Sequence, residues 1–396
     1  MIEQIRQFVI SNWSIFEKKP FRIVEVMQLS SSGWRSFDTG RIIFIIFIGG
    51  KAKVVAKFYK STKLNDFLVQ EFNTLKSFQL LSSNLYSKPI NLAKINEHNV
   101  LFEELIEGDS LLSQITKLDY IPNLSQKQLS DIVNKHFTIT FNIFNLLNKS
   151  NKNTSEKERI QEVENLISEY ATVSFADKQL IRKINDFLVD NGFGEDFKRI
   201  VHFDIAPTNI FQTNDSYKLI DLEFSNRSCL WYIEPAIYVS HYMGCFIDIG
   251  FIKNTLFEAM YSFRKNPKNI FEKEAMKFCE KCFNNNDNLM RAAFILAFIK
   301  SYILQKKVRA FIPSEEEKMF TDIIELWLKE KNLLTRGISA RISTKLEETV
   351  ESQLRQLKEQ RARLQHELSK ITSSRGWKMT KKMHIIRTKI PVLKNL

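Results

Sequence analysis

The sequence predicts an α+β protein of two lobes, a β-rich lobe followed by a mainly helical lobe with a β-hairpin embedded in it. Three observations lead there. Runs rich in β-branched and aromatic residues crowd the start of the chain, at 21–29 (FRIVEVMQL), 41–48 (RIIFIIFI) and 53–60 (KVVAKFYK). From about residue 110 apolar residues recur at helical spacing instead. One strand pair, 199–203 with 217–222, interrupts the helices. Strands grouped first and helices grouped later are α+β order, not alternating βαβ.

Each element has a local reason. The second and third strands are joined by Gly49-Gly50-Lys51-Ala52, a hairpin turn. The first two are separated by an eleven-residue stretch, 30–40, rich in Ser and Gly. Residues 66–80 carry Phe67, Leu68, Phe72, Leu75 and Phe78 at helical spacing. Residues 99–106 (NVLFEELI) form a further strand, ended by Glu107-Gly108-Asp109. The helical pattern then runs to about Leu334, and a narrow heptad stripe follows: Val350, Leu354, Leu357, Arg361, Leu364, Leu368 and Ile371. Its 3.5-residue spacing predicts a coiled coil, with Arg361 at a core position. The expected divisions are 1–106, 107–335, 340–372 and 373–396.

Composition narrows the class. The 396 residues have ordinary apolar and charged content, which excludes a wholly disordered chain. Glycine is scarce at 11, so turns fall to Asn, Ser and Asp. Of the net charge of +13, eight positive charges without an acid lie between Leu368 and Leu396. The basicity therefore belongs to the tail and points to a local anionic partner. Four cysteines are too few to staple a chain this long, and the Cys279/Cys282 pair lacks a second CxxC to complete a metal site. The N-terminus carries Glu3 and Arg6 within its apolar run, which is not a signal-peptide pattern. The apolar stretch 230–252 carries Glu234, His241 and Asp248, so no transmembrane helix is expected. The protein reads as cytoplasmic.

The chemistry-bearing segment is VHFDIAPTNIFQTNDSYKLIDLEF, beginning at Val201. Asp204 and Asn209 end a short loop after one strand, and Asp221 ends the partner strand. A hairpin would bring these hard oxygen donors to one edge, which suits Mg²⁺. An acid left off the metal can accept a proton from an attacking hydroxyl.

HxDxxPxN followed by IDxE resembles the catalytic hairpin of the aminoglycoside phosphotransferase and choline kinase group, which has a protein-kinase-like fold. AKFYK at 56–60, EFNTLKSF at 71–78 and LFEELIEGDSL at 101–111 are similar to that group's phosphate-lysine strand, glutamate helix and interlobe hinge. They follow in family order over roughly residues 20–330. The resemblance implies ATP and Mg²⁺ as cofactors. It makes Asp204 the catalytic base or hydroxyl-orienting residue and His202 the organiser of its loop. Asn209 and Asp221 would hold Mg²⁺, with Glu223 assisting there or binding substrate. Lys57 would hold the α- and β-phosphates, paired by Glu71. The backbone from Glu104 to Ile106 would meet adenine.

The chain also departs from the family. No GxGxxG occurs, so Ser31, Ser32 and Gly33 are expected to cradle phosphate. Where the family often carries an Asp-Leu-Ala-like stretch after IDxE, this chain reads LWYIEPAIYVS, with Glu234 and Pro235.

The tail, SSRGWKMTKKMHIIRTKIPVLKNL, interleaves Trp377 and apolar residues with lysines and suits an anionic membrane surface. It shows no aromatic platform for nucleic acid. A coiled coil followed by SRGWKMT also resembles the C-terminal ends of bacterial enzymes that build O-antigen and related surface polysaccharides. The resulting expectation is a phosphotransferase acting on a sugar or lipid-linked glycan hydroxyl, self-associating through its coiled coil, at the inner face of the membrane. The alternatives are a soluble choline or aminoglycoside kinase, with Trp231, Tyr232, Tyr238 and Tyr242 as an aromatic cage, and a non-catalytic kinase-like scaffold.

Overall fold

Two short helices that the sequence reading did not assign open the chain, α1 (Ile2–Ser11) and α2 (Trp13–Phe16). α1 buries Ile5 and Val9, four residues apart on one face. The structure is a computed structural model describing residues 1–29, 40–80, 85–117, 125–147, 152–174, 176–191, 197–214, 216–248, 255–309 and 312–329. Ser31, Ser32, Gly33, the coiled coil expected at 340–372 and the tail at 373–396 lie outside the described residues.

The first lobe is built on β1 (Val24–Leu29), β2 (Arg41–Ile48), β3 (Lys51–Tyr59), α3 (Asn65–Gln79), β4 (Pro89–Ile95) and β5 (His98–Glu104). The strands form one sheet in the order β1-β2-β3-β5-β4, every neighbouring pair antiparallel. The β2–β3 turn is tighter than the four residues expected. Gly49 (φ 59°) and Gly50 (φ 76°) span it alone, both left-handed as a two-residue primed turn requires. β4 escaped the sequence reading because it is an edge strand that starts on a proline and carries Asn91 and Lys94, which blunts its apolar signal.

Register sets the two faces of this sheet. Phe44, Ala56 and Phe102 align on one face, where Phe8 and Phe16 pack on Phe102 with ring centroids 5.4 and 5.1 Å away. Leu29, Ile43, Lys57 and Leu101 align on the other. The hinge leaves β5 through Leu105, whose N–H donates to the Lys53 carbonyl at 2.9 Å. At Gly108 (φ 157°) a Cβ would meet the Gln212 carbonyl oxygen at 2.2 Å, so only glycine lets the crossing strand approach.

The second lobe contains β6 (Asp109–Ser110), α4 (Leu111–Thr116), α5 (Gln126–Leu147), β7 (Lys152–Asn153), α6 (Glu156–Val173), α7 (Lys178–Asn191), β8 (Phe197–Val201), β9 (Ile210–Gln212), β10 (Tyr217–Leu219) and β11 (Asn226–Ser228). It ends with α8 (Glu234–Asp248), α9 (Leu256–Lys265), α10 (Ile270–Cys282), α11 (Asp287–Val308) and α12 (Ser314–Leu328). α11 is the axis of the lobe: Ala292 through Ile299 are all buried, apolar on every side as a central helix must be. α8 occupies most of the apolar stretch 230–252 and is likewise a core helix. No helix among the described residues is long and apolar enough to cross a membrane.

The expected pairing of 199–203 with 217–222 is incorrect. β8 pairs with β7 and β11, while β9 pairs with β10 and β6. Alternating apolar residues mark strands but carry no label of their partner, and β7, β9 and β11 are too short to show the pattern.

Among the buried polar groups is His136 of α5, fully buried beside Tyr242, with Nε2 lacking a partner. Burial depresses its pKa from 6.5 to about 3, with Lys135 adding to the effect. Between those values the unfolded chain binds a proton that the folded chain does not. Stability from this group is therefore complete above pH 6.5 and falls by about 1.4 kcal/mol per unit as the pH drops. His136→Phe is expected to flatten the acid limb of stability against pH. Urea unfolding at pH 7 and pH 5 checks this; superimposable pH dependence in the two proteins would refute it.

Candidate active site

The site is assembled from the non-α1 face of the sheet and the loops on either side of the β9–β10 hairpin. Lys57, on β3, is directed by strand alternation to the face opposite Phe58 and Phe102. Its ammonium lies 3.0 Å from Glu71 Oε1 of α3 and also contacts Glu103 of β5. All three residues are buried. Burial disfavours the ammonium, but the two carboxylates outweigh it and hold the lysine pKa above its usual value. Ser87 Oγ donates to the second Glu103 oxygen at 2.8 Å.

Across from this group lies the 202–209 loop. Its first residue, His202, is fixed at both ring nitrogens: Nε2–H donates to the Ile220 carbonyl at 2.8 Å, and Nδ1 accepts the Asp204 N–H at 3.3 Å. The imidazole is thus neutral, and burial depresses its pKa. It clamps the 202–204 and 220–221 segments to each other. The Asn209 side-chain amide donates to the Asp204 carbonyl at 2.8 Å and to Asp204 Oδ2 at 3.3 Å. Its Oδ1 accepts from Thr208, at 3.2 Å. The Ile220 N–H donates to the Asn209 carbonyl at 3.1 Å, tying the far end of the hairpin to the loop.

Electrostatics separates the two aspartates. Burial pushes the Asp204 pKa well above the ordinary carboxylate range, and the Asp221 and Glu223 charges push it further. Burial acts the same way on Asp221, but Arg41 and Lys57 overcome it and hold that pKa below its usual value. Environments that push two carboxyls apart suit one to accept a proton and the other to remain an anion. Glu223 accepts from the Tyr59 hydroxyl and is raised to about 7, chiefly by burial.

Three residues that the sequence reading gave no role stand in this site. Arg41, the first residue of β2, sets Nη1 at 2.5 Å from Asp221 and 3.2 Å from Glu223, and Nη2 at 3.7 Å from Glu71. The available signal was an arginine opening an otherwise apolar strand. Glu234, the first residue of α8, accepts the N–H groups of His202 at 3.1 Å and Phe203 at 2.7 Å. The 202–203 backbone is thus held by a glutamate from the stretch where the sequence departs from the resembled pattern. Its pKa rises to about 7 because burial outweighs the two N–H donors. Phe203 is left-handed (φ 59°), an unfavourable state for a bulky residue that these hydrogen bonds hold in place. His241, two turns after Glu234 on α8, donates from Nδ1 to the Ile205 carbonyl at 3.1 Å and lies 3.7 Å from Asp204 Oδ1.

Other expectations are altered. Of the hinge amides, Glu104 and Leu105 already donate to Lys88 and Lys53 carbonyls, leaving Ile106 as the amide open to a ligand. The Glu104 side chain is exposed, 3.5 Å from Lys218. Tyr232, Tyr238 and Tyr242 are core residues, the last two packed on Phe137 and Tyr238 also on Phe278, and Trp231 lies under the Arg199 guanidinium. They form no cage. Met27, Leu29, Ile43, Ile45 and Val55 share the Lys57 face, where Met27 and Leu29 remain 46% and 38% exposed, an apolar surface on which a flat base can lie.

Among the described residues no group of three or more His, Cys, Asp or Glu side chains is arranged to enclose a metal ion. Asn209 Oδ1 and the partly exposed Asp221 carboxylate are nonetheless hard-oxygen donors of the kind such an ion takes. That fits Mg²⁺, which is commonly held by one or two carboxylates with substrate phosphates and water completing the shell.

Solved structures share this architecture. An aminoglycoside phosphotransferase in ternary complex with AMP-PNP and hygromycin B superposes with a TM-score of 0.51 at 9% identity, covering 82% of this chain and 98% of that one. The fold is protein-kinase-like. A choline kinase from Cryptosporidium parvum is also similar, at 16% identity and TM-score 0.42 over 82% of this chain and 94% of its own. Macrolide 2′-phosphotransferase type I matches at 10% identity and TM-score 0.41, over 83% and 97%. The fold assignment rests on the first of the three. No protein-family model and no curated protein matches the sequence.

Within this kinase-like fold, Glu234→Ala orphans two buried N–H groups at a left-handed residue. The expected cost is about 1–3 kcal/mol for each orphaned donor. Urea unfolding together with amide exchange at His202 and Phe203 tests this. Wild-type stability and unchanged protection would show that the glutamate does not hold the loop.

Proposed function

We propose that this protein is an ATP- and Mg²⁺-dependent phosphotransferase that moves a terminal phosphoryl group onto an alcohol hydroxyl. The observation carrying this reading is a continuous set of contacts. Lys57 and Glu71 from the sheet lobe are joined through Arg41 to Asp221, whose charge acts on Asp204, and Asp204 is hydrogen-bonded by Asn209. Phosphoryl transfer is mostly positioning and charge neutralisation, and these residues supply both. Asp204 orients the acceptor hydroxyl and takes its proton. Lys57 faces the phosphates, and Ile106 N–H meets the base. Asn209 and Asp221 would hold Mg²⁺, which supplies positive charge to the phosphate oxygens when bound. The fold neighbour that holds AMP-PNP and hygromycin B adds support.

The finer reading is a sugar or lipid-linked glycan acceptor in bacterial surface-polysaccharide synthesis, at the inner face of the membrane. Its support is in the sequence: the heptad stripe within 340–372, SRGWKMT, and eight positive charges without an acid from Leu368 to Leu396. In this reading 1–106 binds nucleotide, 107–335 carries out catalysis, and the C-terminal segments serve assembly and docking. A soluble small-molecule kinase is the second reading. Burial of the three tyrosines removes the cage that would favour choline.

Asp204→Asn is expected to lower turnover by about 10²–10⁴-fold with nucleotide binding retained. Asp221→Asn should instead weaken Mg²⁺-nucleotide binding, because an anionic ligand becomes neutral. Labelled-ATP transfer to lipid-linked glycans, choline and aminoglycosides, with calorimetry for binding, separates the two effects. Near-wild-type turnover in both variants would end the phosphotransferase reading.

The tail carries its own prediction. The full chain should bind vesicles containing anionic lipid at 0.1 M salt and release them at 1 M, because the Debye length falls from ~10 to ~3 Å. Removing 373–396 should abolish that binding and leave ATP affinity unchanged. Equal co-sedimentation with neutral and anionic vesicles would reject the electrostatic account.

A further inference from the structure

The phosphotransferase reading needs Asp221 free to hold a cation, yet a cation of the chain itself already occupies it. Arg41 Nη1 is shared between Asp221 at 2.5 Å and Glu223 at 3.2 Å, and Nη2 faces Glu71 at 3.7 Å. These carboxylates come from two loop residues of the second lobe and one helix of the first. The arginine side chain is 8% exposed. Among the described residues its Nε is buried without a hydrogen-bond partner, and so is Glu71 Oε2. A guanidinium built into a fold for stability usually meets a carboxylate as a two-pronged fork with its donors satisfied. Here one nitrogen serves two acids and another donor is left over, an arrangement closer to a counter-ion placed among anions.

The charge balance points the same way. Among the described residues, the lysine and arginine side chains that balance Glu71, Glu103, Asp204, Asp221 and Glu223 are Lys57 and Arg41. Lys57 is taken up by Glu71 and Glu103, so Arg41 is the cation left for the loop acids. A free divalent ion approaching Asp221 must displace it.

The place of Arg41 in the chain gives it somewhere else to go. It opens β2 directly after Gly40, which is left-handed (φ 65°), at the point where the 30–39 connection rejoins the sheet. Register sets Ile43 opposite Lys57 and Arg41 opposite Tyr59, so Arg41 and Lys57 project from the same face of adjacent strands, one diagonal step apart. A phosphate chain laid against Lys57 is therefore within reach of Arg41, whose planar fork matches phosphate oxygens better than a shared carboxylate position does.

We propose that Arg41 is a resident counter-ion that keeps Asp221 and Glu223 closed to free divalent metal and moves onto the phosphates when nucleotide enters. It is then a nucleotide-binding residue, and the divalent ion gains its ligands only together with the nucleotide. This inference rests on the phosphotransferase reading and extends it to the order of binding.

The test uses the full chain with Mn²⁺ alone as the probe, followed by electron paramagnetic resonance, and then ATP without metal followed by calorimetry. Arg41→Gln is expected to bind free Mn²⁺ about tenfold more tightly than wild type and metal-free ATP about tenfold more weakly, a change of about 1.4 kcal/mol in each direction. Equal Mn²⁺ affinity in folded Arg41→Gln and wild type overturns the proposal. If Arg41→Gln does not fold, Arg41→Lys decides. Wild-type Mn²⁺ affinity with weakened metal-free ATP binding supports the proposal, because the charge stays and the fork is lost; unchanged ATP affinity overturns it. Asp221→Asn separates this inference from the reading beneath it. Loss of Mn²⁺ binding in Asp221→Asn with no effect of Arg41→Gln rejects only the role of Arg41. No effect of Asp221→Asn on Mn²⁺ or on Mg²⁺-ATP binding rejects the metal site itself.

Discussion

The constraint on which this molecule turns is the concentration of buried carboxylates where its two lobes meet. Glu71, Glu103 and Glu223 are buried, and Asp204 and Asp221 lie among them. Unpaired charges in such surroundings are strongly disfavoured. The fold answers with two cations on adjacent strands, Lys57 and Arg41. Because Arg41 reaches Asp221 and Glu223 on the second lobe while Lys57 holds Glu71 and Glu103 on the first, the same charges that balance the site also tie the lobes together. A buried ion network of this kind contributes little net stability, but breaking one member is costly, so its main effect is to specify one geometry.

A second frame holds the 202–209 loop from below. Glu234 at the start of α8 takes two backbone N–H groups, His202 bridges to the Ile220 carbonyl, and the Asn209 amide returns to Asp204. Glu234 and His202 spend these hydrogen bonds on backbone, and the Asn209 amide divides its own between the Asp204 carbonyl and carboxylate. The candidate base is thus presented by a loop whose own polar groups are satisfied internally, in the manner of a preorganised site. α8 can serve as this support because it is embedded in the helical core with α11, and the left-handed Phe203 is tolerated for the same reason.

Function and fold stand at different distances from these observations. The two-lobed architecture is shared with a phosphotransferase of known complex at 9% identity, where shape survives and few residues are matched. The proposed activity rests on this chain's own side chains. The glutamate below the loop and the arginine at the mouth of β2 are features of this sequence. They give the site a character that fold likeness alone does not convey.

Much of the fold was legible in the residues because its signals are local. RIIFIIFI and KVVAKFYK can only be strands, two glycines make their turn, and the spacing of Leu68, Leu75 and Phe78 makes α3 a helix with one buried face. His202, Asp204, Asn209 and Asp221 were visible as a set because their spacing is short and their chemistry uncommon in combination. What the sequence could not decide was partnership. The strand ending at Val201 pairs with two very short strands and not with 217–222, since pairing is settled by packing across the lobe. Glu234 looked like a departure from pattern until the fold placed its carboxylate under two N–H groups 31 and 32 residues away. Arg41 looked like the polar start of a strand, and its contact with Asp221 spans 180 residues. Charge neutralisation at a buried cleft is a property of everything that converges there, and only the tertiary structure brings those residues together.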